Sequence, residues 1–140
     1  MTTTTPNERN RAVIEEFRAN AGKVGGSWEG RPLLLLTTTG AKTARSHTTP
    51  LMHHREEGRL FVFASKGGAP ASPEWYRNLV ANPSVTVEID GERYEARAVV
   101  LEGAERDRVY AMQSANFPQF ADYQARTERT IPVVELVRAG

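Results

Sequence analysis

Apolar and polar positions alternate along this chain in two distinct rhythms. From Asn7, a fitting helix cap, Val13, Ile14, Phe17 and Ala21 recur at the spacing of one helical face, which predicts an amphipathic first helix behind a disordered tail, Met1 to Pro6. Gly22, Gly25 and Gly26 stop that helix. The four-leucine run that starts at Leu33 predicts a buried strand to Thr38. Residues 47–54 and 60–65 follow as two strands joined at Glu56-Glu57-Gly58, and Ser72-Pro73-Glu74 supplies a cap, a first-turn proline and an early carboxylate for a short helix from Trp75 to Val80. Val85, Val87 and Ile89 then alternate with Thr86, Glu88 and Asp90 before Asp90-Gly91, a favoured two-residue hairpin turn, with the return strand over Arg93 to Leu101. A helix from Ala104 to Ala115, an aromatic-rich segment to Thr130 and a last strand from Ile131 to Val137 complete the pattern.

Six strands, mostly hairpin-connected and interspersed with short helices, predict an α+β chain built as a small antiparallel β-barrel with helices on its outside. The length of 140 residues, without repeat or internal linker, predicts one domain over residues 7–140. The composition, 39% hydrophobic and 25% charged, is that of an ordinary globular protein. A formal net charge of +1 lacks the electrostatic footprint of a nucleic-acid binder, so any basic site must be local. The absence of cysteine removes disulfides, thiolate metal sites and cysteine nucleophiles, and fits a cytoplasmic address. The N-terminal residues carry no leader pattern, and the leucine run is too short to span a bilayer.

The candidate chemistry is concentrated in a few segments. Thr37 to Pro50 offers backbone donors near Gly40, the hydroxyls of Thr43, Thr48 and Thr49, and Lys42, Arg45 and His47 as positive or switchable groups, which are the parts of a phosphate pocket; a solvated polar loop has the same composition. Ser65-Lys66-Gly67-Gly68 leaves a strand and enters a helix, where glycine lets a backbone approach a ligand or simply makes a tight turn. Trp75 and Asn78 share the short helix, either as core or as contacts. Phe117, Phe120 and Tyr123 fall three residues apart, so a helix would set them on one face to roof a planar ligand or to pack. Strand alternation separates His53 from His54, which spoils them as a metal-ligand pair. No Walker motif, dinucleotide-binding glycine fingerprint or G-x-S-x-G elbow is present.

Taken in order, Leu34-Leu-Leu-Thr-Thr-Thr-Gly-Ala-Lys-Thr43, Pro50-Leu51, Ala64-Ser-Lys-Gly-Gly68, Pro73-Glu-Trp-Tyr-Arg-Asn-Leu79, Ala81-Asn-Pro83 and Arg129-Thr-Ile-Pro132 resemble the deazaflavin (F420)-dependent nitroreductase family of actinobacteria over nearly the whole chain. The resemblance implies a split β-barrel of the FMN-binding type and a reaction in which reduced coenzyme F420 passes a hydride to a small conjugated acceptor, such as a quinone, nitroaromatic or enone. It implies that Lys42 holds the cofactor phosphate with Gly40, Ala41, Thr43, Arg45, His47, Thr48, Thr49 and Pro50 around it. Ser65, Lys66, Gly67 and Gly68 would contact the deazaflavin, and Trp75 and Asn78 would complete that wall. His47 stands where the family usually has arginine. Met52, Phe117, Phe120 and Tyr123 would face the acceptor, with Tyr123 retaining the one hydroxyl of a stretch that is tyrosine-rich in relatives; Tyr123 or Ser65 would donate a hydrogen bond to the reduced acceptor. An FMN-dependent reductase on the same barrel and a non-catalytic F420-binding protein are the alternatives. The expected partners are a small hydride acceptor and no nucleic acid, in a monomer or weak homodimer, cytoplasmic and in peripheral contact with the inner membrane face through the first helix.

Overall fold

The computed structural model describes residues 6–20, 22–25 and 30–139. Ten elements are numbered in chain order: α1 (Pro6–Ala19), β1 (Leu33–Thr39), β2 (Ser46–Glu56), β3 (Arg59–Phe63), α2 (Glu74–Ala81), β4 (Ser84–Ile89), β5 (Glu92–Val100), α3 (Gly103–Asn116), α4 (Gln119–Ala125) and β6 (Val133–Arg138). A single 3-10 turn, Lys66–Gly68, lies between β3 and α2. The strands close into an all-antiparallel barrel in the order β1-β2-β3-β6-β5-β4. Pro6, expected in the tail, opens α1; Met1 to Thr5, Ala21 and Gly26 lie outside the described residues.

The leucine run is apolar throughout because both faces of β1 are covered. Leu34 and Leu36 point into the barrel, where they meet Leu60, Val62, Val85, Val87, Val134 and Leu136, while Leu33 and Leu35 pack outward with Phe17 and Val24. The same alternation in β3 sends Leu60 and Val62 inward, and Phe61 and Phe63 outward against Val109, Tyr110, Phe120 and Ile131 of the α3–α4 side. Trp75 and Leu79 of α2 join the inner cluster. Each two-residue hairpin turn needs left-handed backbone at both central residues, and Glu57-Gly58 (φ 49 and 78) and Asp90-Gly91 (φ 53 and 77) supply it.

β2 serves two partners in succession. Ser46 to Met52 pair with β1, and His53 to Glu56 pair with β3. The first stretch therefore keeps one edge without a strand, which is where a proline, having no N–H to donate, can sit inside a strand. Pro50 occupies that stretch opposite Leu35, and a cleft opens along it.

On the opposite wall, Glu56 accepts from Arg108 and His54, Arg108 also pairs with Glu105, and Arg59 bridges Glu105 to Glu135. The Arg108 guanidinium, and then His54, hold the Glu56 carboxyl down to about 2. A carboxylate whose folded pKa lies below its unfolded value stabilises the fold above the unfolded value and loses that contribution as pH falls through the folded one. Urea midpoints should therefore decline as pH falls from about 4.5 toward 2, and Glu56→Gln should flatten that decline. An unchanged slope in the variant would show that the network contributes nothing to acid stability.

Candidate active site

The turn after β1 is built on Gly40. Its N–H donates to Arg45 O at 2.7 Å, and a Cβ there would stand 2.6 Å from Thr43 Oγ1 and 3.2 Å from His47 Nε2. Asn78, 3% exposed, joins this turn to α2: its Oδ1 accepts from Ala41 N at 3.1 Å, and its Nδ2 donates to the buried Thr38 Oγ1 at 3.2 Å. Both ends of the Asn78 amide thus shape the loop. Around the turn lies a cavity of about 440 Å³ lined by Gly40, Ala41, Lys42, Thr43, Arg45, His47, Glu74, Arg77 and Asn78.

A second cavity, about 620 Å³, shares His47, Glu74 and Asn78 with the first and adds Asn10, Arg11 and Ile14 of α1, Ser46, Thr48, Thr49, Lys66, Pro73 and Trp75. A third, about 310 Å³, shares Thr49, Lys66, Pro73 and Trp75 with the second. It continues along the open edge of β2 past Pro50, Leu51 and Met52, and is lined further by Phe63, Ser65, Gly67, Phe120, Tyr123 and Arg31. The three form one groove whose character changes along its length. The first two cavities gather Arg11, Lys42, Arg45, Lys66 and Arg77 against the carboxylate of Glu74, whereas the third is walled mainly by aliphatic and aromatic side chains, with Arg31 and Lys66 as its two cations. A local concentration of cations in a chain of net charge +1 suits an anion, and the apolar end suits a planar, uncharged group.

The wall between β3 and α2 runs through left-handed backbone at Lys66, Gly67 and Gly68 (φ 47, 63 and 83). Gly68 is buried, and a Cβ on it would lie 2.7 Å from Tyr123 O and 3.1 Å from Arg126 Cβ, so the missing side chain makes room for α4. Arg129 holds the same connection from behind. Its Nε donates to Ala69 O (2.9 Å), Nη2 to Ser65 O (2.9 Å), and Nη1 to Ala64 O (3.2 Å) and Ser72 Oγ (3.4 Å). The expected Ser72 cap is therefore not made: Pro73 takes the cap position, and the Ser72 hydroxyl accepts from Arg129 instead.

Phe120 and Tyr123 stand on α4 with ring centroids 5.2 Å apart. Phe117 is not on α4. α3 ends at Asn116, Phe117 takes extended backbone (φ −136, ψ 90), and Pro118 starts the next helix, so Phe117 packs on the Phe61–Phe63 cluster outside the cavity lining. Tyr110 Oη donates to Phe120 O at 2.5 Å, and burial pushes its phenol up to about 12, so its proton is committed to holding α4. His53, held down at about 4 by burial, stays neutral and lies outside the groove lining.

Of the residues singled out from sequence, Gly40 to Thr43, Arg45, His47 to Pro50, Met52, Ser65 to Gly67, Trp75, Asn78, Phe120 and Tyr123 all line this one groove; Gly68 and Phe117 do not. The structure adds Asn10, Arg11, Ile14, Arg31, Phe63, Glu74 and Arg77 to the lining, and Arg129 behind it. Arg77 and Arg129 lie within segments that carried the family resemblance, so the motifs held the signal, but which backbone Arg129 reaches depends on a separation of about sixty residues.

Residues 9–138 match a family model described as F420H(2)-dependent quinone reductase. An F420H(2)-dependent quinone reductase of Mycobacterium tuberculosis (strain H37Rv) is 40% identical over 126 residues, which cover 87% of this chain and 85% of that one. Among solved structures, an F420-H2 dependent reductase (FDR-A) superposes with a TM-score of 0.69 at 41% identity, covering 76% of this chain and 94% of its own. A chain described as a domain-swapped dimer superposes with a TM-score of 0.71 at 36% identity, covering 94% and 99%.

Proposed function

The chain belongs to the F420H(2)-dependent quinone reductase family, and from that premise we propose that it is an F420-dependent oxidoreductase acting on a small quinone-like acceptor. The single observation in this structure that carries the reading is the change along the groove from a cation-rich turn to an apolar aromatic end. That order suits a ligand with an anionic tail and a flat heterocycle. Reduced F420, when bound, supplies a hydride from C5 of its deazaflavin ring.

Binding, orientation and exclusion of water fall to the protein. Lys42, Arg45, Arg77 and His47 attract and neutralise the phosphate, and the Gly40–Thr43 turn offers backbone donors that Asn78 holds in position. His47 in place of the family's usual arginine leaves a shorter group at that spot, with Arg45 and Arg77 to share the charge. Ser65, Lys66 and Gly67 bring backbone against the heterocycle, and Trp75, already fixed in the barrel core, gives that wall a rigid surface. Met52, Phe120 and Tyr123 hold the acceptor in the apolar end and keep water from it. The Tyr123 and Ser65 hydroxyls are the donors to the acceptor oxygen, and solvent delivers the final proton. With phenylalanine at 120 the wall favours apolar acceptors over polar ones.

Residues 7–140 form the one domain that does this, and the enzyme acts in the cytoplasm on a diffusing small molecule. No helix of the described residues is long and apolar enough to cross a membrane. The apolar side of α1 is engaged, since Phe17 is buried and Val13 and Ile14 pack on the β1 layer. Contact of α1 with a membrane surface would therefore rest on its exposed polar side, where Glu15 and Glu16 oppose attraction to an anionic leaflet.

Mixing the protein with reduced F420 and a soluble naphthoquinone should oxidise the cofactor catalytically, with reduced FMN far less effective. Saturable F420 binding without turnover on quinones or nitroaromatics would instead make the chain a carrier of the cofactor.

A further inference from the structure

From the way one side chain ties the groove's wall together, we infer that Arg129 is a positioning residue for cofactor binding: it does not itself line the groove and acts by fixing the Ser65–Lys66 backbone that does. This rests on the reading of Ser65 to Gly67 as the cofactor wall.

The connection from β3 to α2 has little to hold its shape. Its own backbone bonds are Gly68 N to Ser65 O (2.9 Å) and Ala69 N to Lys66 O (3.1 Å), and it contains Lys66, a non-glycine residue in left-handed backbone. Such a conformation is disfavoured for a side-chain-bearing residue and persists where the surroundings impose it. Arg129 imposes it by gripping the carbonyls of Ala64, Ser65 and Ala69 at once.

A planar trans peptide points its C=O and the following N–H in opposite directions. Holding Ala64 O and Ser65 O toward Arg129 therefore turns the N–H groups of Ser65 and Lys66 away from it, and no described acceptor in the protein takes either. Ser65 is right-handed (φ −76, ψ −41) and Lys66 left-handed (φ 47), a pairing that converges successive N–H groups on one acceptor. Both residues line the apolar cavity, so the pair is set to receive a carbonyl or anionic oxygen of the bound heterocycle.

The grip is anchored to the opposite wall as well. Gln124 Nε2 donates to Arg129 O at 2.7 Å, and Gln124 Oε1 accepts from Arg106 Nη2 (2.7 Å) and Ile131 N (3.0 Å). Gln124 belongs to α4, which carries Phe120 and Tyr123, so one network sets both walls of the groove's apolar end.

The test compares wild type with Arg129→Lys, which keeps the charge but not the planar fork, and Arg129→Met, which removes every donor. Three properties are read on protein purified free of cofactor: amide hydrogen exchange of Gly68 and Ala69 against that of the barrel strands, melting temperature, and F420 affinity by tryptophan fluorescence. In Arg129→Lys the barrel strands should stay protected while the Gly68 and Ala69 amides exchange about ten-fold faster and the F420 Kd rises about ten-fold. In turnover the KM for F420 should rise while that for the quinone does not. Unchanged exchange and unchanged affinity would overturn the inference. Faster loop exchange with unchanged affinity would also overturn it; a Lys42→Ala variant that still weakens binding would then show that the tail site stands and that the fault lies in assigning the cofactor wall. If wild-type protein binds no F420, the functional reading falls and the inference falls with it. Should Arg129→Met fail to fold, the lysine variant carries the comparison.

Discussion

Gly68→Ala should be among the most damaging single substitutions behind this groove's wall although it adds one methyl group. The new Cβ would meet Tyr123 O at 2.7 Å and Tyr123 Cα at 3.1 Å, which are backbone atoms that move only if α4 moves. The residue would also carry a side chain at φ +83, where left-handed backbone costs roughly 1–2 kcal/mol. With overpacking of roughly 1–3 kcal/mol added, the loss should come to about 2–5 kcal/mol, read as a lower urea midpoint. Gly67→Ala is the internal control. It sits at φ +63 with nothing within 4 Å of the added carbon, so the conformational cost alone remains. The effect on function should exceed the effect on stability, because shifting α4 displaces Phe120 and Tyr123 from the acceptor end. Equal stabilities for the two variants would show that the α4 contact is loose.

Asn78→Ala should weaken cofactor binding more than any change in charge would predict, since the substitution leaves the net charge unaltered. It removes the acceptor for Ala41 N and the donor to Thr38 Oγ1, a hydroxyl on a residue 1% exposed. Stranding those groups should cost about 1–3 kcal/mol of stability and release the Gly40–Thr43 turn, with F420 affinity falling about ten-fold or more. Asn78→Asp separates the two effects. A carboxylate still accepts from Ala41 N, and the Thr38 hydroxyl can rotate to donate to it, so both partners stay satisfied and the stability loss is confined to desolvating the new charge. A negative charge now faces the cavity of Lys42, Arg45 and Arg77, and binding of an anionic tail should fail. If Asn78→Asp binds F420 as wild type does, the phosphate does not lie in that turn.

These two residues also show where a sequence stops being legible. The barrel was legible because its information is local. Asp90-Gly91 announces a two-residue hairpin, alternation over Val85 to Ile89 sets which side faces inward, and an uninterrupted leucine run implies a strand covered on both faces. The groove's inventory was legible for a different reason: a set of linked motifs carries a family resemblance that no one loop could. What the pattern did not contain was the partner of each polar group. Ser72 next to Pro73 has the chemistry of a helix cap, yet an arginine fifty-seven positions away claims its hydroxyl. Phe117, Phe120 and Tyr123 have helical spacing, but α3 ends at Asn116 and α4 begins after Pro118, so the first is not on the helix that carries the other two. The need for glycine at position 68 has a reason its place in a glycine pair does not reveal: an added Cβ would run into α4. In each case the deciding neighbour arrives through tertiary packing, which spacing along the chain does not encode.

The central claim is that the Gly40–Arg45 turn and the wall of Ser65 to Gly67 and Trp75 receive coenzyme F420, and an equilibrium titration tests it most directly. Of the chain's two tryptophans, Trp28 lies outside the described residues, and Trp28→Phe leaves Trp75, which lines two of the three cavities, as the sole reporter. Adding F420 should change its emission saturably, Lys42→Ala should raise the Kd about ten-fold or more, and FMN should bind far more weakly. Binding of FMN in preference to F420, or F420 binding indifferent to Lys42, would contradict the assignment.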